Sequence, residues 1–168
     1  KYMNDPINFG MMMVSNGDAD VLVAGAVTST SNVLRSAIRI VGVTPISKWV
    51  SSSFFMISPK EDVALTFADC AVIPEPTSDQ LASIAGESSI THRLLTGEEP
   101  RVAFLSFSTK GSANHRRVSH VKEAVKIFAK QYPNILHDGE LQLDSALVPS
   151  VALSKAKYSP IEGNASVL

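Results

Sequence analysis

The stretch GDADVLVAGAVTSTSNVLR, residues 17–35, decides the fold that the sequence predicts. An apolar run over residues 21–24 leads into four hydroxyl residues, 28–31, and a helical pattern that carries Arg35 follows. A loop of small hydroxyl residues at the start of a helix presents backbone N–H groups, side-chain donors and the positive end of the helix dipole to an anion. The pattern therefore predicts strand, loop and helix with a phosphate or sulfate site at the loop, or else ordinary helix caps made by Ser and Thr.

A second segment, RVAFLSFSTKGS at residues 101–112, repeats this design. Its apolar strand pattern ends in a loop rich in Ser and Thr. In that loop Gly111 permits a ligand to approach the backbone closely, and Lys110 adds a mobile positive charge. Two such units in one chain indicate a ligand that carries phosphates at more than one place.

Composition limits the classes of function. The 168 residues are 45% hydrophobic and 18% charged, a balance typical of a soluble globular α/β protein. The net charge of −1 argues against a nucleic-acid partner, which would need a basic surface. No apolar run approaches the roughly 18 residues that a membrane-spanning helix needs, so we expect no membrane partner. The single cysteine, Cys70, excludes an internal disulfide and is compatible with the cytoplasm.

The alternation of strand and helix patterns predicts a three-layer α/β/α sandwich with a mostly parallel sheet. The break at residues 43–48, VTPISK, is the candidate domain boundary, and a turn is expected at 58–62, SPKED. The predicted helices are 5–16, 31–42, Thr77 or Ser78 to Leu95, and 117–131, and the predicted strands are 19–25, 49–57, 63–68 and 101–106.

Seven stretches carry a more specific signal: NFGMMMVSNGDAD (8–20), LVAGAVTSTSNVLR (22–35), VSSSFFMISP (50–59), FADCAVIPEPTSDQLASIA (67–85), EPRVAFLSFSTKGSANH (99–115), DGELQLDSALVPSVALSKA (138–156) and SPIEGNASVL (159–168). In order and without insertion, they resemble the phosphate acetyltransferase/phosphate butyryltransferase family, and its acetyltransferase branch most closely. The resemblance implies the fold of the isocitrate and isopropylmalate dehydrogenases, in which two α/β domains flank a cleft. It assigns residues 1–48 to part of the first domain and residues 49–168 to part of the second.

The reaction that the resemblance implies is the reversible transfer of an acetyl group between acetyl phosphate and coenzyme A. The implied partners are coenzyme A, acetyl-CoA, phosphate and acetyl phosphate, with no separate cofactor, because coenzyme A is a substrate, and with no metal. A cytoplasmic homodimer is also implied. Because family members are longer, we interpret the chain as a fragment. We expect the catalytic base to lie beyond Leu168 and the chain alone to be inactive.

Within the resemblance, Ser29, Thr30 and Arg35 match a hydroxyl loop followed by an arginine, so we expect them to contact phosphate. A surface position is the alternative for Arg35. Asp144 and Lys155 match family positions near the cleft, although the two residue types are equally suited to structural ion pairs. The second loop either contacts the ligand or supports the cleft wall, and its candidate residues are Ser106, Ser108, Thr109, Lys110 and Ser112.

Other residues are assigned to structure. Cys70 is expected to be a buried packing thiol, since the implied mechanism uses no cysteine nucleophile. The four histidines are too scattered in the sequence for a metal site, and His115 is expected in a solvated loop. Val21 stands where the family usually has Gly, which predicts overpacking inside strand 19–25 unless its neighbours adapt.

Two other functions stay open. A phosphate butyryltransferase would differ only in the size of its acyl pocket, which the sequence does not define. A non-catalytic domain that senses acetyl-CoA, like the phosphotransacetylase-like module at the C-terminus of some malic enzymes, would bind the ligand without turnover. The TSTSN loop at residues 28–32 and the FADCAV segment at residues 67–72 favour the enzyme.

Overall fold

The computed structural model describes residues 2–45, 48–58 and 63–168, and the chain divides into two compact units, 1–50 and 51–168. In chain order the elements are a short 3₁₀ helix Tyr2–Asn4, α1 Pro6–Asn16, α2 Thr30–Ile40, β1 Ser53–Ser58, β2 Val63–Ala68, α3 Ser78–Thr96, β3 Arg101–Leu105, α4 Arg116–Gln131, β4 Leu136–Leu141, α5 Leu143–Leu147 and α6 Pro149–Lys155.

In the N-terminal unit, α1 begins and ends at local signals in the sequence. The Asp5 carboxylate caps the first turn by accepting a hydrogen bond of 2.8 Å from the Ile7 N–H. Pro6 occupies the first helical position, where an N–H has no partner within the helix. Gly17 ends the helix in the left-handed region at φ 79°. The helix predicted over residues 5–16 is confirmed.

Polar contacts hold α2 against α1. The Ser36 hydroxyl donates to the side-chain oxygen of Asn8 (2.7 Å), and the Ser15 hydroxyl donates to the carbonyl oxygen of Ile40 (3.1 Å). The helix begins one residue before the predicted range 31–42 and ends two residues before its end. None of its residues is buried, so the apolar face that the sequence predicts has no core against it among the described residues of this unit.

The strand predicted over residues 19–25 is wrong for this chain. Residues 21–25 are not part of any strand, and the side chains of Val21 and Val23 are 73% and 92% exposed. A strand persists where a neighbouring strand satisfies its backbone N–H and C=O groups. No such neighbour lies in the described part of this unit, which contains helices only. For the same reason Val21 meets no core, and the predicted overpacking does not arise.

The C-terminal unit contains both antiparallel and parallel strand pairs, so its sheet is mixed. β1 pairs antiparallel with β2 in the register that places Ser53 opposite Ala68, and β3 pairs parallel with β4. Val167 lies between the two pairs and forms parallel bridges to Thr66 of β2 and Val102 of β3. This short C-terminal segment therefore joins the four strands into one sheet.

Helices cover both faces of that sheet, which confirms the predicted three layers. Successive residues of a strand point to opposite faces, so Phe104 of β3 packs with α3 and α4, whereas Ala103 packs with α5 and the end of α6. One core cluster contains Ala82, Ala85, Val102, Phe104, Ala124, Phe128 and Val167, and the other contains Ala103, Leu141, Ala146, Ala156, Ile161, Ala165 and Leu168.

The long helices of this unit start at side-chain caps. Thr77 and Gln80 form a reciprocal capping box at the start of α3, and Gly97 ends that helix at φ 75°, as the sequence predicts. α4 starts at His115, whose Nδ1 accepts a hydrogen bond of 3.1 Å from the Arg117 N–H. His115 is therefore a helix cap and not a plain loop residue.

Some elements have no clear sequence signal. β4, with the sequence LHDGEL, carries charged residues that break the alternation of a strand, and α5 spans five residues, too few to show a helical period. α6 was not predicted either. β1 starts at Ser53, four residues after the predicted start at 49. The predicted turn at 58–62 and the break at 43–48 include residues 59–62 and 46–47, which lie outside the described residues.

Candidate functional site

The first hydroxyl loop forms the N-terminal end of α2. Ser29 caps the helix: its Oγ accepts a hydrogen bond of 3.3 Å from the Asn32 N–H and lies 3.0 Å from the hydroxyl of Ser31. Thr30 occupies the first helical position and is exposed. The first N–H groups of an α-helix have no partner within the helix. This end of α2 therefore offers open donors and a positive dipole end to solvent.

Arg35 lies beside this loop and is exposed. Its Nη1 donates to the side-chain oxygen of Asn32 (3.4 Å), and the Asn32 amide in turn donates to Thr28 Oγ1 (3.5 Å). Asn32 was not singled out in the sequence, although its spacing of three residues before Arg35 places the two side chains on one helix face. A depression of about 190 Å³ adjoins them and is lined by Tyr2, Asp5, Ile7, Asn8, Thr28, Asn32, Arg35, Ser36 and Arg39.

The second hydroxyl loop is turned inward. Ser108 is completely buried and Thr109 is 5% exposed. Thr109 Oγ1 accepts a hydrogen bond of 2.9 Å from the Gln142 N–H and lies 3.4 Å from the Ser145 hydroxyl. Two of the five predicted ligand contacts therefore face the interior of this unit, where they tie the loop to the segment that follows β4.

The backbone donors of this loop are also satisfied within the chain. Six consecutive N–H groups have internal acceptors: Ser108 donates to Ser106 Oγ, Thr109 to Ser112 Oγ, Lys110 to the Glu140 carbonyl, Gly111 to the Glu140 carboxylate, Ser112 to the Thr109 carbonyl and Ala113 to Ser108 Oγ. The two loops look alike in sequence, but the first turn of α2 has open backbone donors, whereas the N–H groups of residues 108–113 in the second loop are paired within the chain.

Glu140 organises the second loop, although no local sequence signal marks it as a site residue. Its side chain is 1% exposed, and its Oε1 accepts hydrogen bonds from the Gly111 N–H (2.6 Å) and the Ser108 hydroxyl (3.0 Å). Lys122 Nζ lies 3.5 Å from Oε2. Burial alone would raise the pKa of Glu140. The hydrogen bonds from backbone N–H groups and Ser108, with the charge of Lys122, outweigh burial and lower the pKa.

The outward groups of the second loop are Lys110 and Ser112, which are exposed, and Ser106, which is partly buried. Lys110 adopts a positive φ of 49°, and its ammonium group pairs with the Asp138 carboxylate. The Asp138 side chain is 10% exposed, whereas that of Lys110 is 39% exposed. Asp138 therefore anchors a lysine whose side chain stays accessible to solvent.

Asp144 and Lys155 form an ion pair. Lys155 Nζ lies 2.7 Å from Asp144 Oδ2 and also donates to the Gln142 side-chain oxygen (3.3 Å). The hydrogen bond from Lys155 is the main cause of a lowered Asp144 pKa, and the N–H of Ser145 adds to it. Both side chains are more than 40% exposed. The structure therefore contains the ion pair that the sequence allowed for Asp144 and Lys155. Both side chains stay accessible to a ligand.

Other chemistry-bearing residues lie apart from the loops. Cys70 is partly buried, and its Sγ donates to the Phe67 carbonyl oxygen at 3.0 Å. A groove of about 650 Å³ lies beside the first turns of α3 and α4, where Arg117 pairs with Glu75 at 3.8 Å. Over residues 2–45, 48–58 and 63–168, no group of three or more His, Cys, Asp or Glu side chains is placed to hold a metal ion. No helix in those ranges is long and apolar enough to cross a membrane.

The three-layer C-terminal unit defines an α/β protein. The model of the phosphate acetyl/butaryl transferase family matches residues 1–168, and the chain belongs to that family. It is 51% identical over 170 residues to a phosphate acetyltransferase of Thermoanaerobacterium thermosaccharolyticum, covering 99% of this chain and 52% of that protein. It is 47% identical over 172 residues to a phosphate acetyltransferase of Clostridium acetobutylicum, covering all of this chain and 52% of that protein.

Solved structures agree with this assignment. A phosphotransacetylase from Streptococcus pyogenes aligns with a TM-score of 0.89 at 38% identity, over 98% of this chain and 50% of that chain. A phosphotransacetylase from Staphylococcus aureus aligns with a TM-score of 0.85 at 43% identity, with the same coverage of 98% and 50%. The chain therefore spans about half the length of these four relatives.

Proposed function

We propose that the protein carrying this chain is a phosphate acetyltransferase, which transfers an acetyl group reversibly between acetyl phosphate and coenzyme A. The observation that carries this proposal is the open N-terminal end of α2, where exposed Ser29 and Thr30 lie on the same helix as Arg35. Both substrates present phosphate groups, and this arrangement suits a phosphate. The names of the relatives support the acetyl branch of the family.

The chemistry requires that the departing phosphate is held, that the thiol of coenzyme A is deprotonated, and that negative charge on the acetyl oxygen is stabilised. Within this chain, we assign phosphate holding to the first turn of α2 and to Arg35. A guanidinium group forms two parallel hydrogen bonds to a phosphate and stays charged at every relevant pH. Ser29 and Thr30 add hydroxyl donors at the same end of the helix.

In the second unit, we assign substrate contact to the outward groups Ser106, Lys110 and Ser112. Ser108 and Thr109, which are buried, serve the substrate indirectly by fixing the loop. Asp144 and Lys155 form an exposed pair beside Gln142, and in our proposal Lys155 contributes positive charge for a phosphate group of coenzyme A. We assign proton transfer to none of these residues, and no contact in the described residues points to a general base.

The remaining parts of the proposal concern the whole protein. We propose that it needs no cofactor besides its substrate coenzyme A, acts as a homodimer in the cytoplasm, and is divided into domains near residues 43–48. Thioester absorbance tests the activity: the full-length protein is mixed with acetyl phosphate and coenzyme A after extensive dialysis. Acetyl-CoA formation without any addition supports the proposal, and no product at saturating substrates contradicts it.

Two further measurements separate the alternatives. Butyryl phosphate in place of acetyl phosphate tests the acyl preference, and a higher kcat/KM with butyryl phosphate would assign the protein to the butyryl branch. Isothermal calorimetry with acetyl-CoA tests for a binding domain. Tight binding without turnover would show a sensor of acetyl-CoA and not an enzyme.

A further inference from the structure

Two consecutive N–H groups of the second loop reach the same acidic residue. Lys110 and Gly111 have positive φ values of 49° and 84°. The Lys110 N–H donates to the Glu140 carbonyl oxygen (3.1 Å), and the Gly111 N–H donates to the Glu140 carboxylate (2.6 Å). Successive backbone N–H groups in a tight turn form a concave site for anions, a design that many phosphate sites use. In this chain the Gly111 N–H binds an anion, the Glu140 carboxylate of β4, and the Lys110 N–H binds the backbone carbonyl of the same residue.

A bulge in the sheet aims Glu140 at the loop. The pairing of β3 with β4 passes from Phe104 opposite Gly139 to Leu105 opposite Leu141, so Glu140 has no partner on β3. A bulge removes one residue from the regular alternation and turns its side chain in a new direction. The extra residue here is the one whose carboxylate the loop binds.

The site around this carboxylate is built from three donors. The Ser108 hydroxyl and the Gly111 N–H both donate to Oε1, and Lys122 of α4 places its ammonium group 3.5 Å from Oε2. The Glu140 side chain is 1% exposed. If the carboxylate were removed, the Ser108 hydroxyl and the Gly111 N–H would lose this buried acceptor, which is unfavourable, and Lys122, whose side chain is 44% exposed, would lose its charge partner.

We propose that Glu140 is a positioning residue that acts as a built-in anion. It occupies the place that a substrate phosphate would take in a loop of this design, and it holds the loop so that a substrate meets only the outward groups, above all Lys110. The role in substrate binding rests on the function proposed above. The inference that an internal carboxylate occupies the loop does not rest on that function.

Chemical rescue tests the internal site. Glu140→Ala in the full-length protein removes a methylene and a carboxylate, which is close to the size of an acetate ion. We expect the midpoint of thermal unfolding of Glu140→Ala to lie several degrees below that of the wild type. Acetate should raise the midpoint of this variant by at least about 3 °C, whereas acetamide at the same concentration should not. Sodium chloride matches the ionic strength. Glu99→Ala, which removes an exposed carboxylate paired with Arg93, is the control and should show no acetate effect beyond that of the wild type.

Equal effects of acetate and acetamide on Glu140→Ala, or no recovery with either, overturn the proposal. Glu140→Gln provides a second test that survives if the alanine variant does not fold. It keeps the shape and the oxygen that accepts from Gly111 and Ser108, but it loses the charge that Lys122 faces. We expect a folded protein with KM for acetyl phosphate raised about threefold or more and kcat changed less.

A Gln variant that equals the wild type in both unfolding midpoint and KM shows that the negative charge is unnecessary, and it also overturns the proposal. If the wild-type protein has no acetyltransferase activity, the proposed function fails. The acetate rescue of the unfolding midpoint then still decides whether Glu140 is the internal anion of the loop.

Discussion

Nδ1 of His92 lies 3.0 Å from Oγ1 of Thr66, and both side chains are completely buried where α3 packs on β2. His92 Nε2 is buried without a hydrogen-bond partner among the residues that the structure describes. Burial lowers the pKa of His92 below its ordinary value of 6.5, while the charge of Glu98 raises it and that of Arg101 lowers it by smaller amounts. The folded protein therefore holds a neutral imidazole at this position.

The first prediction is a loss of stability in mild acid. Below pH 6.5 the unfolded chain takes up a proton at His92 that the folded chain excludes, so the free energy of unfolding falls as pH falls towards the lower pKa of the folded state. The slope is limited by one proton, about 1.4 kcal/mol per pH unit. Urea unfolding of the full-length protein between pH 7 and 5 measures it. His92→Gln, which does not titrate, should remove most of this slope, and an unchanged slope in that variant would contradict the assignment.

The second prediction concerns the turn after β2, which Asp69 and Ser52 hold together. The Ser52 hydroxyl donates to Asp69 Oδ1 (2.7 Å), and the same carboxylate accepts from the N–H groups of Ala71 (2.8 Å), Val72 (2.9 Å) and Ile73 (3.2 Å). We expect Asp69→Ala to lower the free energy of unfolding by about 2–3 kcal/mol, because several donors lose their acceptor at once. Asp69→Asn, which keeps one acceptor oxygen, should cost less.

A double-mutant cycle provides the control for this turn. If Ser52→Ala and Asp69→Ala act through one hydrogen-bonded unit, their combined effect is smaller than the sum of the separate effects. Strict additivity would show that the two residues stabilise the chain independently. The Asp69 pKa is lowered, since the hydrogen bonds outweigh the opposing effect of burial. Its stabilisation is therefore present above pH 3.8 and is lost below that value, well separated from the pH range of His92.

The third prediction separates structure from binding at the Asp144–Lys155 pair. Because both side chains are exposed, Lys155→Met should leave the midpoint of thermal unfolding nearly unchanged. In our proposed function the same change raises KM for coenzyme A, since it removes a positive charge that a phosphate group would meet. Steady-state kinetics of the full-length protein with varied coenzyme A measure this. Asp144→Asn is the matched control, and it should not raise KM, because it removes no positive charge.

Local signals in the sequence predicted most of the C-terminal unit. Thr77, Gln80 and Gly97 mark the ends of α3 by interactions within a few residues, and the continuous apolar run of β3 follows from burial on both faces. The failures have non-local causes. Residues 21–25 look like a buried strand, but whether they form one depends on a partner strand that local sequence does not show.

The candidate site shows the same division. The hydroxyl loops were visible because Ser, Thr, Lys and Gly cluster after an apolar run. The sequence did not show that the donors of the first loop are open and those of the second are paired. The acceptor in the second loop, Glu140, is 29 residues after Gly111. In the sequence, Glu140 interrupts a strand pattern, and nothing near it indicates a site. Only the bulge between β3 and β4 reveals its role.

The fourth prediction is that Cys70 is dispensable. Its Sγ makes a single weak hydrogen bond to the Phe67 carbonyl oxygen, and Cys70 is partly and not fully buried, so the packing role predicted from sequence is modest. Cys70→Ala in the full-length protein should keep kcat within about twofold of the wild type and lower stability by about 1 kcal/mol or less. Loss of activity in a normally folded variant would point to a thiol in the chemistry and contradict our reading of the reaction.

The fifth prediction tests the phosphate assignment of Arg35. Arg35→Ala should reduce kcat/KM for acetyl phosphate by roughly 30- to 150-fold, which corresponds to about 2–3 kcal/mol for one charged contact to phosphate. The kcat/KM of Arg35→Lys should lie between that of the wild type and that of Arg35→Ala, because lysine keeps the charge and loses the paired donors of the guanidinium group. Arg93→Ala is the matched control: Arg93 lies on α3 and pairs with Glu99 at the surface, so its removal should leave kcat/KM unchanged. If the Arg35 and Arg93 variants behave alike, Arg35 is a surface residue, and the open end of α2 binds phosphate without it or does not bind phosphate at all.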